Sequence, residues 1–175
     1  MPIVLGPDSG TLTVRTRRRG AASKAGHDLR MEVGSWSARL DLNEPASLSL
    51  SADSRSFRVV EGTGGVIPLG DEEREAIPKT IDEDVLKGQP IEFRSTDVAV
   101  AGERIDVRGE LDLFGAARPV AFTLERDGNG RITGAATVKH SDWGVKPYTA
   151  LFGTLKVADE VEIAVDAIAR STDDG

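Results

Sequence analysis

The chain contains no cysteine, so disulfide bonds, zinc–thiolate sites and thiol nucleophiles are excluded. Aromatic residues make up only 5% of the 175 residues. No apolar run approaches the roughly 20 residues that a membrane-spanning helix needs. A formal net charge of -7 argues against a generic nucleic-acid-binding protein, which normally has net basic character. The length suits one domain that buries most of its apolar surface in its own core.

The first six residues lack the basic leader and the length of a secretory signal. We therefore expect a cytoplasmic protein without a membrane span. A periplasmic or secreted location is expected instead if a signal was removed.

Alternation of apolar and polar residues is the main pattern in the chain, and it is clearest in residues 91–124. Three alternating segments follow one another there, separated only by glycine-bearing turns. The second segment carries Val107 and Leu111 on one face, and the third carries Phe122. Alternation with a period of two over consecutive hairpins indicates an antiparallel sheet with one buried face.

Similar segments occur on both sides of this region, and no repeated βαβ unit interrupts them. The only helical pattern lies near residues 71–87, where residues 80–83 fit a capping box and Gly88 fits a C-cap. Short strands in this number favour an up-and-down barrel or sandwich, and closure into a barrel removes exposed edges. The predicted fold is all-β: a single-domain antiparallel β-barrel with a short helical excursion near residues 71–87.

Small residues on the predicted inward faces leave two interpretations open. Gly134 and Ala136 share a face with Val138, and Gly109 shares one with Val107. Small side chains around a barrel axis can leave a cavity for a small ligand. Strand glycines can equally relieve crowding or allow a strand to bend.

His27 and His140 are the only histidines, and each shares a predicted strand face with apolar residues. They could form an acid/base pair or bind a metal, or each could be a buried, hydrogen-bonded histidine. Neither has a carboxylate at metal-ligand spacing, so we predict no metal and no cofactor. Trp143 lies beside His140 in an irregular segment without a nucleophile-elbow motif, and we expect it to pack against the barrel or line its entrance.

Several segments together resemble a known family. They are PIEFRST at residues 90–96, VRGELDLFG at 107–115 followed by RPV at 118–120, and HSDWGV at 140–145. In this combination the chain is similar to the YceI-like family of lipid-binding proteins, over roughly residues 8–168. His140 stands where that family often has arginine, and Trp143 stands where it often has phenylalanine.

The resemblance implies one lipocalin-like barrel domain over residues 1–175, with a polyisoprenoid or other long-chain amphiphile in its lumen. We therefore favour a non-enzymatic carrier or store of a hydrophobic or amphipathic small molecule. The alternative is a barrel enzyme for a hydrophobic substrate with His27 or His140 as acid/base, and a homodimer is also left open. The expected ligand-binding residues are Phe93, Val107, Leu111, Phe122, Val138, His140, Trp143, Phe152 and His27.

Overall fold

The computed structural model describes residues 2–18, 28–63, 78, 88–113, 115–143, 149–150 and 155–168. Their secondary structure is almost entirely strand. The strands are β1 (Ile3–Leu5), β2 (Gly10–Arg18), β3 (Asp28–Val33), β4 (Trp36–Asp41), β5 (Ser47–Ala52), β6 (Phe57–Thr63), β7 (Ile91–Ala101), β8 (Arg104–Leu113), β9 (Ala116–Arg126), β10 (Arg131–Lys139), β11 (Thr149–Ala150) and β12 (Leu155–Ile168). A 3₁₀ helix, His140–Trp143, follows β10.

All strand pairs of this sheet are antiparallel, in the order β1-β4-β5-β7-β8-β9-β10-β12-β2-β3-β6, with β11 beside β12. The two ends of this path are joined by the chain itself. β3 lies near one end of the path and β4 near the other, yet only Gly34 and Ser35 separate them in the chain. Because all neighbouring strands are antiparallel, β3 and β4 also run in the same direction. They therefore act as one bent strand that closes the sheet into a barrel.

Two further bends have the same form, between β1 and β2 and between β5 and β6. With each bent pair counted as one strand and β11 set aside, the barrel has eight strands in simple up-and-down order. Strands that turn a corner in this way are a common means of folding one sheet over on itself. Eight strands enclose an interior wide enough for packed side chains or for one small ligand.

Backbone hydrogen bonds hold neighbouring bends together. The Gly34 N–H donates to the Ser56 carbonyl at 2.7 Å, and the Asp53 N–H donates to the Ser35 carbonyl at 3.0 Å. At the first bend, the Ile168 N–H donates to the Ser9 carbonyl at 2.9 Å. The corners thus keep their backbone groups paired where regular ladders stop.

The core lies inside the barrel because inward positions alternate with exposed ones along each strand. β8 shows this most clearly: Ile105, Val107, Leu111 and Leu113 are all buried, and the charged residues between them face outward or are partly exposed. β4 repeats the pattern with Trp36, Ala38 and Leu40. The apolar face of every such strand is hidden by the curvature of the sheet itself.

These features confirm the all-β, lipocalin-like barrel expected from the sequence. The helical excursion near residues 71–87 lies outside the described residues, apart from Pro78. In the part of the chain that the structure describes, no helix has the length and apolar character to cross a membrane.

Candidate ligand cavity

The inner face of the barrel lines an apolar cavity of about 120 Å³. Among the described residues, no charged side chain lies on its wall, and every strand of the eight-stranded barrel contributes to it. The wall consists of Leu5, Leu12, Val14, Val33, Ala38, Leu40, Leu48, Leu50, Ala52, Phe57, Ile91, Phe93, Leu111, Val120, Phe122, Leu124, Ile132, Gly134, Ala135, Ala136, Val138, Ile163 and Val165. Such a surface has nothing to offer a polar group and favours a hydrocarbon occupant.

The volume of the cavity limits the size of the ligand that fits in this conformation. An apolar protein cavity of about 150 Å³ holds a benzene molecule, and the cavity here, at about 120 Å³, is somewhat smaller than that. A longer chain needs the wall to move or its side chains to repack.

Two aromatic rings shape one side of the cavity. Phe93 of β7 and Phe122 of β9 lie on opposite sides of β8, with ring centroids 5.2 Å apart and planes tilted by 57°. This distance and tilt are in the favourable range for aromatic pairs. Both rings lie on the cavity wall, where they present apolar surface to any occupant.

The structure brings four of the sequence-predicted residues together on this wall: Phe93, Leu111, Phe122 and Val138. Val107 points inward as expected, but it is packed in the core and is not one of the wall residues. Whether these side chains contact a ligand stays a prediction.

Trp143 is buried in the core through an interaction that the sequence did not reveal. Its indole Nε1–H donates to the Leu111 carbonyl of β8 at 3.0 Å. It is not one of the wall residues of the cavity. Beside it, Arg118 Nε of β9 donates to the Asp142 carbonyl at 2.9 Å. These two bonds attach the 3₁₀ helix to the β8–β9 hairpin.

The remaining predicted site residues are His27, His140 and Phe152. His27 and Phe152 lie outside the described residues, and for His140 only its place at the start of the 3₁₀ helix is described. Within the described residues, no group of three or more His, Asp or Glu side chains could hold a metal ion.

The glycines on the inward faces are explained by crowding. A Cβ on Gly109 would lie 2.6 Å from Phe93 Cζ and 2.7 Å from Ser95 Cα. A Cβ on Gly134 would lie 2.5 Å from Leu124 Cδ2. Of the two interpretations, relief of crowding therefore accounts for both positions, and the small residues on the wall are Gly134 and alanines such as Ala38.

Many wall residues come from β1 to β6, which the sequence-based site prediction did not include. Leu12, Leu40 and Phe57 are examples. Their alternation was visible in the sequence, but alternation tells only which face is inward. Which inward side chains meet at one height of the barrel depends on strand register and on the bends.

Charged groups on the barrel wall form local pairs on its outer side. Hydrogen bonds from Arg104 and Thr123 hold the pKa of Asp106 below its ordinary value. A two-pronged bond from Arg131, at 2.9 and 2.6 Å, does the same for Asp166. These carboxylates stay ionised at neutral pH. They lie on the outer side of the barrel, whereas the apolar wall residues face its interior.

Comparison with known protein families fits this combination of barrel and apolar lumen. The model of the YceI-like domain matches residues 9–169. The chain belongs to the YceI-like family. The family comprises polyisoprenoid- and lipid-binding barrels that take hydrophobic ligands. The resemblance noted in the sequence is thereby confirmed.

Solved structures of the same fold extend over most of the chain. BcnA of Burkholderia cenocepacia superposes with a TM-score of 0.65 at 20% identity, covering 92% of this chain and 96% of that one. The YCEI protein of Campylobacter jejuni superposes with a TM-score of 0.55 at 14% identity, covering 78% and 81%. A mutant of the latter holds a monobromobimane guest, again with a TM-score of 0.55, 14% identity and the same coverage. No curated protein sequence matches the chain.

Proposed function

We propose that this YceI-like protein carries or stores an isoprenoid or other long-chain amphipathic lipid, with the apolar tail inside the barrel. The observation that supports this most directly is the cavity, because the described residues on its wall carry only hydrocarbon side chains or, at Gly134, none. A lumen packed to the density of an ordinary core would leave no such space.

The expected source of affinity is burial of the tail. Each methylene moved from water into such a lumen contributes about 0.8 kcal/mol. The described wall residues offer hydrocarbon surface to the tail, so we expect them to select for its shape and length. The ligand's identity, its head group and a homodimer stay predictions.

The enzyme alternative depends on His27 or His140 acting as acid/base. No described contact brings either imidazole to the cavity, since both side chains lie outside the described residues. The carrier has a specific structural observation in its favour, and we therefore propose it alone.

A matched pair of substitutions tests whether the lumen is the binding site. Ala38→Leu adds bulk on the cavity wall, and Ala121→Leu adds the same bulk on the exposed side of β9. Three displaced methylene-sized groups at about 0.8 kcal/mol each predict that A38L weakens binding by up to about 50-fold. Titration with cis-parinaric acid, whose fluorescence rises in apolar surroundings, measures the dissociation constants of both variants and wild type.

A121L is expected to bind the probe as wild type does. Circular dichroism and the urea midpoint of each variant confirm that the barrel is intact. Equal affinities for folded A38L and wild type, or failure of wild type to bind any long-chain probe, would contradict the proposal.

A further inference from the structure

The barrel wall has a discontinuity between β9 and β10. β9 pairs with β8 along almost its whole length, from Ala116 to Glu125, but with β10 only over residues 123–126. β10 pairs with β12 from Arg131 to Lys139, but with β9 only over residues 132–135. Beyond Thr123 and Ala135 these two described strands share no ladder.

Cavity-wall residues lie on both sides of this split. Val120 and Phe122 are on the unpaired part of β9, and Ala136 and Val138 are on the unpaired part of β10. The split is therefore placed where a separation of the two strands would lead directly into the cavity.

The 3₁₀ helix lies across this region because the chain leaves the β10–β12 ladder at Lys139, directly before the helix begins. The β10–β12 ladder reaches Lys139 opposite Glu160, and the β11–β12 ladder begins again at Thr149 opposite Lys156. Between these points, the helix His140–Trp143 is in contact with β9, β10 and β12. Across the split, the helix is hydrogen-bonded to the β8–β9 hairpin.

Two side-chain hydrogen bonds are among the attachments of the helix to this hairpin. The Arg118 guanidinium of β9 binds the Asp142 carbonyl, and the Trp143 indole binds the Leu111 carbonyl of β8. The Arg118–Asp142 bond is exposed, whereas the Trp143–Leu111 bond is buried. Neither belongs to a ladder, so both can break while the barrel stays hydrogen-bonded.

We propose that ligands enter and leave the lumen sideways, between β9 and β10, when the 3₁₀ helix releases from the β8–β9 hairpin. This inference rests on the proposed function. It also meets the need for movement that follows from the cavity volume, since a long tail does not fit into about 120 Å³. Opening of a covering segment commonly limits the rates of binding and release in buried sites.

The first test measures rates separately from affinity. Arg118→Gln and Trp143→Phe each remove one attachment while keeping most of the side chain's bulk. Loss of one hydrogen bond predicts association and dissociation of cis-parinaric acid about three- to tenfold faster, with the ratio of the two rates nearly unchanged. Stopped-flow fluorescence gives both rates, and Arg131→Gln, which breaks an exposed pair on the outer wall, is the control and keeps wild-type rates.

A second test uses a cross-link to hold the 3₁₀ helix against β9. Because the chain has no cysteine, Arg118→Cys combined with Asp142→Cys can be cross-linked selectively by a short bismaleimide. The double variant before cross-linking is expected to exchange the probe faster than wild type. After cross-linking, both rates should fall below those of wild type in the same folded protein.

The outcomes separate this inference from the proposed function. If wild type binds the probe but R118Q, W143F and the cross-linked protein all exchange it at the wild-type rate, the entry route is wrong and the carrier function stands. If wild type takes up no probe, both proposals fall together. A change in affinity with unchanged dissociation would also overturn the entry route, since an entry route alters both rates together.

Discussion

At the scale of single residues, Gly109 shows how a position that looks like free space can be a point of close approach. It lies on β8 next to an irregularity in β7, where the register shifts between Ser95 and Asp97. The Phe93 ring and the β7 backbone occupy the place where a side chain would go. The sequence placed Gly109 on the inward face, but it could not show that Phe93 leans over it.

Gly109→Ala is therefore expected to destabilise the protein. The added methyl group would overlap backbone as well as the ring, and overpacking of this kind costs about 1–3 kcal/mol. Urea unfolding measures the change in the free energy of unfolding.

Gly128→Ala is the matched control, because nothing lies within 4 Å of the added group there. It should be neutral or slightly stabilising, since alanine restricts the unfolded chain. If G109A were as stable as G128A, the close packing of Phe93 over Gly109 would be wrong.

At the scale of strands, Ser95 lies just beyond the end of the β5–β7 ladder. β5 pairs with β7 through residues 49–52 and 91–94, and the next β5 amide, that of Leu48, donates to the Ser95 hydroxyl at 2.8 Å. The serine side chain thus replaces a backbone acceptor where the β7 bulge displaces the strand. This gives a structural role to the serine of the PIEFRST segment, which the sequence marked only by resemblance.

Ser95→Ala should leave the Leu48 amide without its acceptor in a partly buried position. A donor left unpaired in this way costs about 1–3 kcal/mol. Ser95→Thr keeps a hydroxyl at the same place and should retain most of the stability.

Denaturant unfolding measures the free energy of unfolding of both variants. Hydrogen exchange at the Leu48 amide shows whether the loss of protection occurs at this bond. Equal stability of S95A and S95T would show that the hydroxyl does not support the β5–β7 junction.

At the scale of the whole molecule, the barrel separates an uncharged interior from a charged exterior. The carboxylates of Asp106 and Asp166 have lowered pKa values because exterior arginine and threonine groups donate to them. A lowered pKa in the folded state means that the stabilisation is complete above the unfolded value of about 3.9 and is lost as the pH falls through the lower folded value. Because both groups are exposed, solvent screens each contribution strongly.

The urea midpoint of wild type is therefore expected to fall as the pH drops below about 4. Asp166→Asn should be less stable than wild type at pH 7, and its midpoint should fall less steeply in acid. Arg131→Gln removes the donor of the same pair and should show a similarly flattened acid decline. If R131Q kept the wild-type pH profile, the Arg131–Asp166 bond would not be the cause.

The sequence alone determined the fold class, the inward face of each strand and the family, because alternation and turn residues act over a few neighbours. Phe93, Leu111, Phe122 and Val138, which the sequence suggested as ligand-binding residues, lie on the cavity wall, and their contact with a ligand stays a prediction. Tertiary structure decided which inward residues share the cavity, since strand register and the three bends bring β1–β6 opposite β7–β12. It likewise decided that Trp143 fastens the 3₁₀ helix to β8, because a hydrogen bond across 32 residues leaves no periodic trace in the chain.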